Sequence, residues 1–176
     1  MKTKIIALLA IIAITIGCNN KPSLEQYFVT NSENKNFVQV DIAPSILNVD
    51  QTKLTEVQKT AMKSFDKMNV LVFKINDKNK SMFATEKNKV KEILKDQKYQ
   101  QLMKFGSGQN GASVSYVGTD DHISEFVISA NSEAGFGIVR VLGKDMNPNA
   151  ILDFISVLKD SDIKLDQLKP LQDLMK

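Results

Sequence analysis

Hydrophobic and polar residues follow a pattern in the first half of the chain that predicts a strand, a helix and a second strand. Val38, Val40 and Ile42 alternate with polar residues, as in a half-buried β-strand. Asp50 is a candidate N-cap for a helix whose apolar residues recur at helical spacing. These apolar positions are Leu54, Val57, Ala61, Phe65 and Met68. The continuous apolar run Val70–Phe73 predicts a buried strand, and this order of elements favours a right-handed βαβ unit with parallel strands.

The region after this unit predicts one more helix and then three short strands. The helix is expected to start near Thr85 and to continue or re-form up to residue 103. Its apolar positions are Val90, Ile93, Leu94, Leu102 and Met103. Beyond the glycine-rich segment 106–111, the runs 112–117, 123–130 and 136–142 have the composition of β-strands. The short, turn-rich gaps between these runs favour an antiparallel meander.

The end of the chain predicts two helices. Asn147 and Pro148 suit the N-cap and first position of a helix. Its apolar residues are Ile151, Leu152, Ile155 and Leu158, and a last helix that is interrupted or restarted at Pro170 carries Leu165, Leu168, Leu171 and Leu174. The sequence therefore predicts an α+β domain of two layers: a mixed sheet of about five strands, made of the βαβ unit and the meander, with the helices packed on one face.

The N-terminus has the pattern of a bacterial export signal that ends in a lipidated cysteine. Two lysines precede ten apolar residues, 5–14, whereas a membrane-spanning helix needs about 20. Residues 15–18, Thr-Ile-Gly-Cys, resemble the lipobox of lipoprotein signals, with Thr where Leu is commonest. By this resemblance Cys18, the sole cysteine, receives a diacylglycerol and further acyl chains such as palmitate, which together anchor stably. A soluble secreted protein with an incidental cysteine is the alternative.

This signal divides the chain into three segments. They are a signal peptide (1–17), a lipidated N-terminus and tether (18–36) and a single α+β domain (37–176). Within the tether, Ser23 and Gln26 have the spacing of a capping box for a short helix. Asn19 stands where many Gram-negative lipoproteins retained at the inner membrane have Asp, and no acidic run follows the cysteine. By that resemblance we expect the domain to face the periplasm from the outer membrane.

Charge and cysteine content narrow the possible partners. Removal of the leader takes away two lysines and no acidic residue, so the formal net charge falls from +3 to about +1. This balance gives no reason to expect a nucleic-acid partner. With Cys18 acylated, no thiol remains for a disulfide. We expect contact with the membrane through the lipid anchor, while a protein partner in the envelope and the oligomeric state stay open.

The segment Gly106–Gly111 matches the GxGxxG spacing of dinucleotide-binding loops. Such a loop follows a strand and precedes a helix, because the helix N-terminus must meet the pyrophosphate. Here a predicted helix precedes the glycines and a predicted strand follows them. We therefore interpret the segment as a connection between a helix and a strand, and we expect no cofactor.

His122, the sole histidine, lies beside Asp120 and Asp121, with Glu125 close behind. A cluster of this kind can bind a divalent cation or orient a general base, but the same composition is ordinary at the tip of a hairpin. One histidine without a free cysteine excludes the usual zinc sets. We expect no metal site and no catalytic residue, and His122 stays a candidate ligand-binding residue.

Arg140, the sole arginine, lies in the last predicted strand among apolar residues. Its guanidinium can hold an anionic ligand through two parallel hydrogen bonds. The alternatives are an exposed position on the solvent face or an ion pair with a carboxylate on a neighbouring strand, such as Glu125. Arg140 is therefore the second candidate ligand-binding residue.

The order of elements and the close of the meander resemble a known family. The segments Glu125–Ile128 and Ile138–Gly143 before a terminal helix, together with the signal peptide and the chain length, are similar to the Bacteroidota lipoproteins known as domain of unknown function 4252. The resemblance implies an envelope location. It offers no established activity, so it implies no catalytic or cofactor-binding residue.

These observations favour a membrane-anchored envelope lipoprotein that binds or senses a small ligand or a protein without catalysis. One alternative is an envelope enzyme whose site is built from scattered Asp, Glu, Ser and Lys residues. Another is a structural subunit of an envelope complex that docks through a sheet edge or the last helix. A deep pocket with convergent carboxylates would favour the enzyme, and an exposed apolar patch would favour the subunit.

Overall fold

A computed structural model of the chain describes residues 22–46, 50–107, 110–149 and 151–153. These residues form one six-stranded sheet and several helices. The strands are β1 (Phe37–Ile42), β2 (Phe65–Lys74), β3 (Gln100–Ser107), β4 (Asn110–Thr119), β5 (His122–Ser132) and β6 (Gly135–Met146). The helices are α1 (Leu24–Asn31), α2 (Glu56–Ser64) and α3 (Phe83–Ile93), with 3₁₀ turns at Pro44–Ile46, Gln51–Lys53 and Lys80–Met82. All neighbouring strands are antiparallel, in the order β1-β2-β6-β5-β4-β3.

The predicted antiparallel meander is confirmed. Strands β4, β5 and β6 are consecutive neighbours in the sheet, and two-residue turns join them at 120–121 and 133–134. Gly135 ends the second turn with φ near +150°. A Cβ atom at this position would overlap the backbone carbonyl of Phe73 on the neighbouring strand β2, so glycine lets β6 pair closely with β2.

The predicted βαβ unit is wrong, because β1 and β2 are antiparallel neighbours. Ile42 at the end of β1 pairs with Met68 near the start of β2, so the connection leaves and re-enters the sheet at the same end. Helix α2 is shorter than predicted: Thr55 is its N-cap, and Asp50 caps a 3₁₀ turn instead. Phe65 fits the helical spacing but begins strand β2. The spacing did not distinguish the two, because either a helix or a strand could bury Phe65 at this position.

The sheet has six strands rather than about five, because the predicted helical continuation through Leu102 and Met103 is wrong. Helix α3 ends at Ile93, and residues 100–107 form the edge strand β3, which pairs with β4. Gly106 has φ near +66°, and Ser107 pairs with Asn110. Strand β3 therefore pairs with β4 up to Ser107 and Asn110, and this pairing outweighs the local helical pattern.

Helices lie on both faces of the sheet, so the prediction that they pack on one face is also wrong. One face buries Val70, Val72 and Val139 beneath α2 and Ile151, and we call it the α2 face. The other face, which we call the α3 face, buries a second apolar cluster beneath α1 and α3. Its sheet residues are Phe37, Leu71, Phe73, Val127, Phe136 and Ile138. Continuous apolar runs such as Val70–Phe73 require this arrangement, because successive residues of a strand point to opposite faces.

The N-terminal and C-terminal ends of the described region agree with their predicted caps. Ser23 and Gln26 form the predicted capping box of α1, which lies inside the segment 18–36 and buries Leu24 and Phe28 against the domain. The side chain of Asn147 accepts a hydrogen bond from the backbone N–H of Asn149 at 3.0 Å, and residues 148–149 and 151–153 are helical. The predicted helical residues beyond 153 lie outside the described residues.

Aromatic rings fill the α3 face beneath the helices. Phe73 and Phe136 stack with ring centroids 5.4 Å apart and an interplanar angle of 4°. Phe83 at the start of α3 lies 6.3 Å and 6.2 Å from these two rings. Phe37 contacts Phe73 edge to face at 5.2 Å. Pairs of this geometry stabilise by about 0.5–1.5 kcal/mol beyond their buried area, so the cluster fixes where α3 begins on the sheet.

A buried hydrogen bond ties α1 to α3. The Tyr27 hydroxyl donates to Oε2 of Glu86 at 2.9 Å, and the Lys89 ammonium donates to Oε1 of the same carboxylate at 2.8 Å. Burial, reinforced by the bond to Glu86, raises the pKa of Tyr27. The phenol therefore stays a donor, and the otherwise costly buried carboxylate has partners for both oxygens.

A buried ion pair links β5 to β6 on the same face. Val127 pairs directly with Arg140, and Glu125 lies two residues earlier on β5, so the two charged side chains are diagonal neighbours. Nε of Arg140 donates to Oε1 of Glu125 at 2.8 Å, and a terminal guanidinium nitrogen donates to Oε2 at 3.2 Å. The guanidinium also lies 5.7 Å from the ring centre of Phe28 on α1. Both side chains are buried, so each charge depends on the other.

We expect Arg140→Met and Glu125→Leu each to lower the free energy of unfolding by about 3–5 kcal/mol, because each leaves a buried charge without its partner. The double variant Glu125→Leu/Arg140→Met removes both charges, so its free energy of unfolding should fall by less than half as much as that of either single variant. Urea denaturation of the four proteins measures this coupling. His122→Ala, at an exposed ion pair with Asp145, is the control and should change stability by less than about 0.5 kcal/mol. A loss below about 1 kcal/mol for both single variants would contradict the account.

Candidate binding cleft

A cleft of about 830 Å³ lies between α3 and strands β3 to β6 on the α3 face. Ligand sites in proteins typically have volumes of about 300–1,000 Å³. We call this feature the lysine cleft, after the four lysines that line it. They are Lys87, Lys91, Lys95 and Lys104.

The cleft exists because the side chains beneath it are small. On the α3 face, β4 and β5 carry Ser113, Ser115 and Ser129, whereas β2 and β6 carry large aromatic residues. Ser113 and Ser129 are paired across the strands, and their hydroxyls are 2.9 Å apart. The other face of β4 and β5 carries branched residues at positions 114 and 128 that pack in the core. Serines fill less of the space under α3 than apolar core residues would, so a gap remains.

Lysines occupy two sides of the cleft. Lys87, Lys91 and Lys95 recur every four residues on or just after α3, so they lie along one side of that helix. Lys104 lies opposite them on β3. Lys95 donates to Glu92 at 2.7 Å, whereas Lys91 and Lys104 form no ion pair within the part of the chain that the structure describes. The described lining residues include no Asp or Glu, so the charged groups that line the cleft are all positive.

Between these lysines the lining is mainly apolar. The apolar lining comes from Val90 on α3 and Leu94 just after it, from Phe136 and Ile138 on β6, and from Tyr99 in the loop before β3. Tyr99 is 8% exposed. Burial, followed by the nearby charge of Glu125, raises its pKa to about 12. The ring therefore stays neutral at physiological pH and adds apolar surface to the cleft.

The arrangement combines apolar surface with lysine ammonium groups and serine hydroxyls. Ammonium groups bind carboxylates and phosphates as compact point charges. The described lining residues supply no carboxylate or imidazole, the groups that most often act as general bases. The geometry is therefore suited to holding a ligand with both a negative charge and an apolar part.

The two candidate residues from the sequence lie elsewhere and do not meet. Arg140 is buried beneath α1 and bonded to Glu125, which is the ion-pair alternative that the sequence raised. His122 is exposed at the tip of the β4–β5 hairpin, and its Nδ1 lies 2.7 Å from Oδ1 of Asp145. Neither residue lines the lysine cleft. Cys18 lies outside the described residues.

Sequence reasoning missed the lysines of the cleft, although the sequence carries a signal for them. Lysines at 87, 91 and 95 follow the helical repeat on the side of α3 next to its apolar positions. Serines at 113 and 115 interrupt the apolar alternation on one face of β4 alone. Each signal is ordinary by itself, and only the position of α3 over β4 brings the two together.

A smaller cavity of about 270 Å³ lies between α2 and the end of β6, lined by Glu56, Asp145 and Asp153 among others. Within residues 22–46, 50–107, 110–149 and 151–153, no group of three or more His, Cys, Asp or Glu residues is placed to hold a metal ion. Among the helices in these ranges, none has the length and apolar character to cross a membrane.

Comparison with protein families gives a match over most of the chain. The model of the family described as domain of unknown function (DUF4252) matches residues 27–154. The matched segment starts within α1 and includes all six strands and the whole lysine cleft. No curated protein and no solved structure matches the chain. The match covers most of the sequence, so the chain belongs to the DUF4252 family.

Proposed function

We propose that this protein is a lipid-anchored binding protein of the cell envelope, whose domain holds a ligand in the lysine cleft. The observation that carries the proposal is the cleft itself. It is concave and mostly apolar, and its polar groups converge from α3 and from the sheet. These are the general features of ligand sites in proteins.

The proposed anchor is Cys18, at the end of the lipobox-like residues 15–18. Helix α1 begins at Leu24, and that residue is fully buried in the domain. Only residues 19–23 therefore separate the proposed lipid from the core. The six steps from Cys18 to Leu24 span at most about 22 Å when extended, so the anchor would hold the start of α1 close to the membrane surface.

We further propose that the domain faces the periplasm from the outer membrane. Asn19 follows the cysteine, and the next residues include no acidic run of the kind that surface-exposed lipoproteins of this type carry. A periplasmic position gives the cleft access to molecules of the envelope rather than to the external medium.

Cys18→Ala should release the protein from membranes, because it removes the thiol that would carry the proposed lipid. Cell fractionation followed by a high-salt wash measures this loss, since salt removes merely electrostatic adhesion. Protease added to intact cells should leave the wild-type protein uncut, and permeabilised cells should lose it. Full retention of the variant in the washed membranes would contradict the anchor, and cleavage on intact cells would contradict the periplasmic position.

Ser129→Phe should prevent binding in the cleft, because a phenyl ring would fill the space above the serine pair. The full chain, kept soluble in a non-ionic amphipol, is incubated with a small-molecule extract of its own envelope. A ligand at 100 times its dissociation constant stabilises the folded state by about 2.7 kcal/mol. The wild type should therefore melt several degrees higher with the extract, and Ser129→Phe should not.

Ser124→Phe is the matched control, because Ser124 is an exposed residue of the same strand and does not line the cleft. It should keep the response to the extract. An equal rise in the melting temperature of wild type and Ser129→Phe would place the ligand outside the cleft. No rise in any of the three proteins would contradict the proposed binding function.

A further inference from the structure

We propose that the lysine cleft binds an anionic amphiphile, a single aliphatic chain that ends in a carboxylate or a phosphate. This inference rests on the proposed binding function of the cleft and names the class of its ligand. Two observations carry it, the apolar floor and the one-sided charge of the lining, and the proposed anchor adds an argument about where the ligand comes from.

The apolar floor accounts for the aliphatic chain. Val90 on α3 and Leu94 just after it lie opposite Phe136 and Ile138 of the sheet, so apolar side chains line the cleft from above and from below. Val90, Phe136 and Ile138 are already buried, so an aliphatic chain would remove from water mainly the exposed surface of the partly buried Phe83 and Leu94. Removal of apolar surface from water is the main driving force for such binding. A wholly polar anion such as free phosphate would leave this surface unused.

The lysines account for the head group. Lys91 and Lys104 come from opposite sides, and neither has an ion-pair partner within the described ranges. A carboxylate or phosphate between them would receive charge-assisted hydrogen bonds from two directions. Since no Asp or Glu lines the described cleft, a cationic head group would meet repulsion alone.

The serine pair adds a polar feature to the floor. The hydroxyls of Ser113 and Ser129 bond to each other at 2.9 Å. Each hydroxyl oxygen has two acceptor lone pairs and one proton, so the pair can still donate one hydrogen bond to a ligand oxygen. This donor lies among the lysines and favours a head group that accepts hydrogen bonds.

The proposed anchor favours a ligand that comes from the membrane. Residues 19–23 would hold the first residue of α1 within about 22 Å of Cys18. Free single-chain anions such as fatty acids and lysophosphatidates partition into bilayers, so their local concentration is highest there. A short tether would keep the domain beside that region.

The same lysines could instead bind an acidic peptide that adds a strand to the exposed edge of β3. Peptide strands bind in the plane of the sheet, whereas the apolar lining of the cleft lies above that plane, between α3 and the serines. The peptide would leave Val90 and Leu94 without contact. The amphiphile is therefore the better match, and the peptide serves as one arm of the test.

Displacement of a fluorescent fatty acid tests the proposal on the full chain in a non-ionic amphipol. The probe is 11-(dansylamino)undecanoate, and the competitors are dodecanoate, dodecyl phosphate, dodecyltrimethylammonium, inorganic phosphate and an acidic peptide. Dodecanoate and dodecyl phosphate should displace the probe from the wild type. The cationic amphiphile, phosphate alone and the peptide should not, since each lacks either the negative head or the chain.

Two variants locate the binding. Lys91→Gln/Lys104→Gln should weaken dodecanoate binding by about tenfold, because it removes two charge-assisted contacts. Ser129→Phe should abolish binding. Lys78→Gln/Lys80→Gln removes the same charge from exposed lysines outside the cleft and should change affinity less than about twofold. Melting curves identify any variant that has lost its fold, and Ser124→Phe is the folded control for Ser129→Phe.

Displacement by the cationic amphiphile as strong as by dodecanoate would overturn the proposal, as would equal weakening by the two lysine pairs. Displacement by phosphate alone or by the peptide, at the concentrations where dodecanoate acts, would also overturn it. The amphiphiles could fail to displace the probe while envelope extract still raises the melting temperature of the wild type and not of Ser129→Phe. In that case the ligand class is wrong and the binding function stands. If both experiments fail, both proposals are wrong.

Discussion

The stacked rings of Phe73 and Phe136 are the contact on which the rest of the α3 face depends. Phe83 packs against both rings and sets where α3 begins, and the Tyr27–Glu86 hydrogen bond joins α1 to the same helix. The aromatic side chains therefore set the distance between α3 and the sheet. Where the sheet beneath α3 carries serines instead of aromatic residues, the same distance leaves an open space, which is the cleft. A difference in side-chain size along one face thus produces the candidate site.

The same face separates buried charges from accessible ones. Glu86, Glu125 and Arg140 are buried and have partners within the fold, so they contribute to the position of the helices. The lysines that face the cleft are exposed at 91 and 104. Burial without a partner is costly for a charged group, whereas an exposed ammonium keeps its hydration until a ligand replaces it. This difference explains why the sole arginine is structural here while common lysines form the candidate site.

Much of the fold follows from local sequence patterns, and the exceptions have a common physical cause. The meander, the first strand and the caps at Ser23 and Asn147 were predictable, because alternation, turn composition and capping are local. The edge strand β3 and the antiparallel pairing of β1 with β2 were not. In both cases, partners distant in the sequence decide the outcome. The local pattern of β3 fits a helix equally well, and the patterns of β1 and β2 do not fix the direction of their pairing.

The candidate site was less predictable than the fold for a related reason. His122 and Arg140 were the candidate ligand-binding residues because each is the only residue of its type in the sequence. The cleft is instead built from common residues that only the packing of α3 over β4 brings together. The serines of β4 do break the apolar alternation on one face, and that signal becomes informative once the neighbouring helix is known.

The central claim is that side-chain size on the α3 face creates a site for an aliphatic chain between α3 and the serines. Nuclear Overhauser effects between bound dodecanoate and the methyl groups of the full chain test this claim most directly. They report contacts within about 5 Å, whereas packed layers are roughly 10 Å apart, so they distinguish the two faces of the sheet. The account predicts contacts to Val90, Leu94 and Ile138, and none to Val70, Val114 or Val139 on the α2 face. Contacts to the second group, or to neither group, would contradict it.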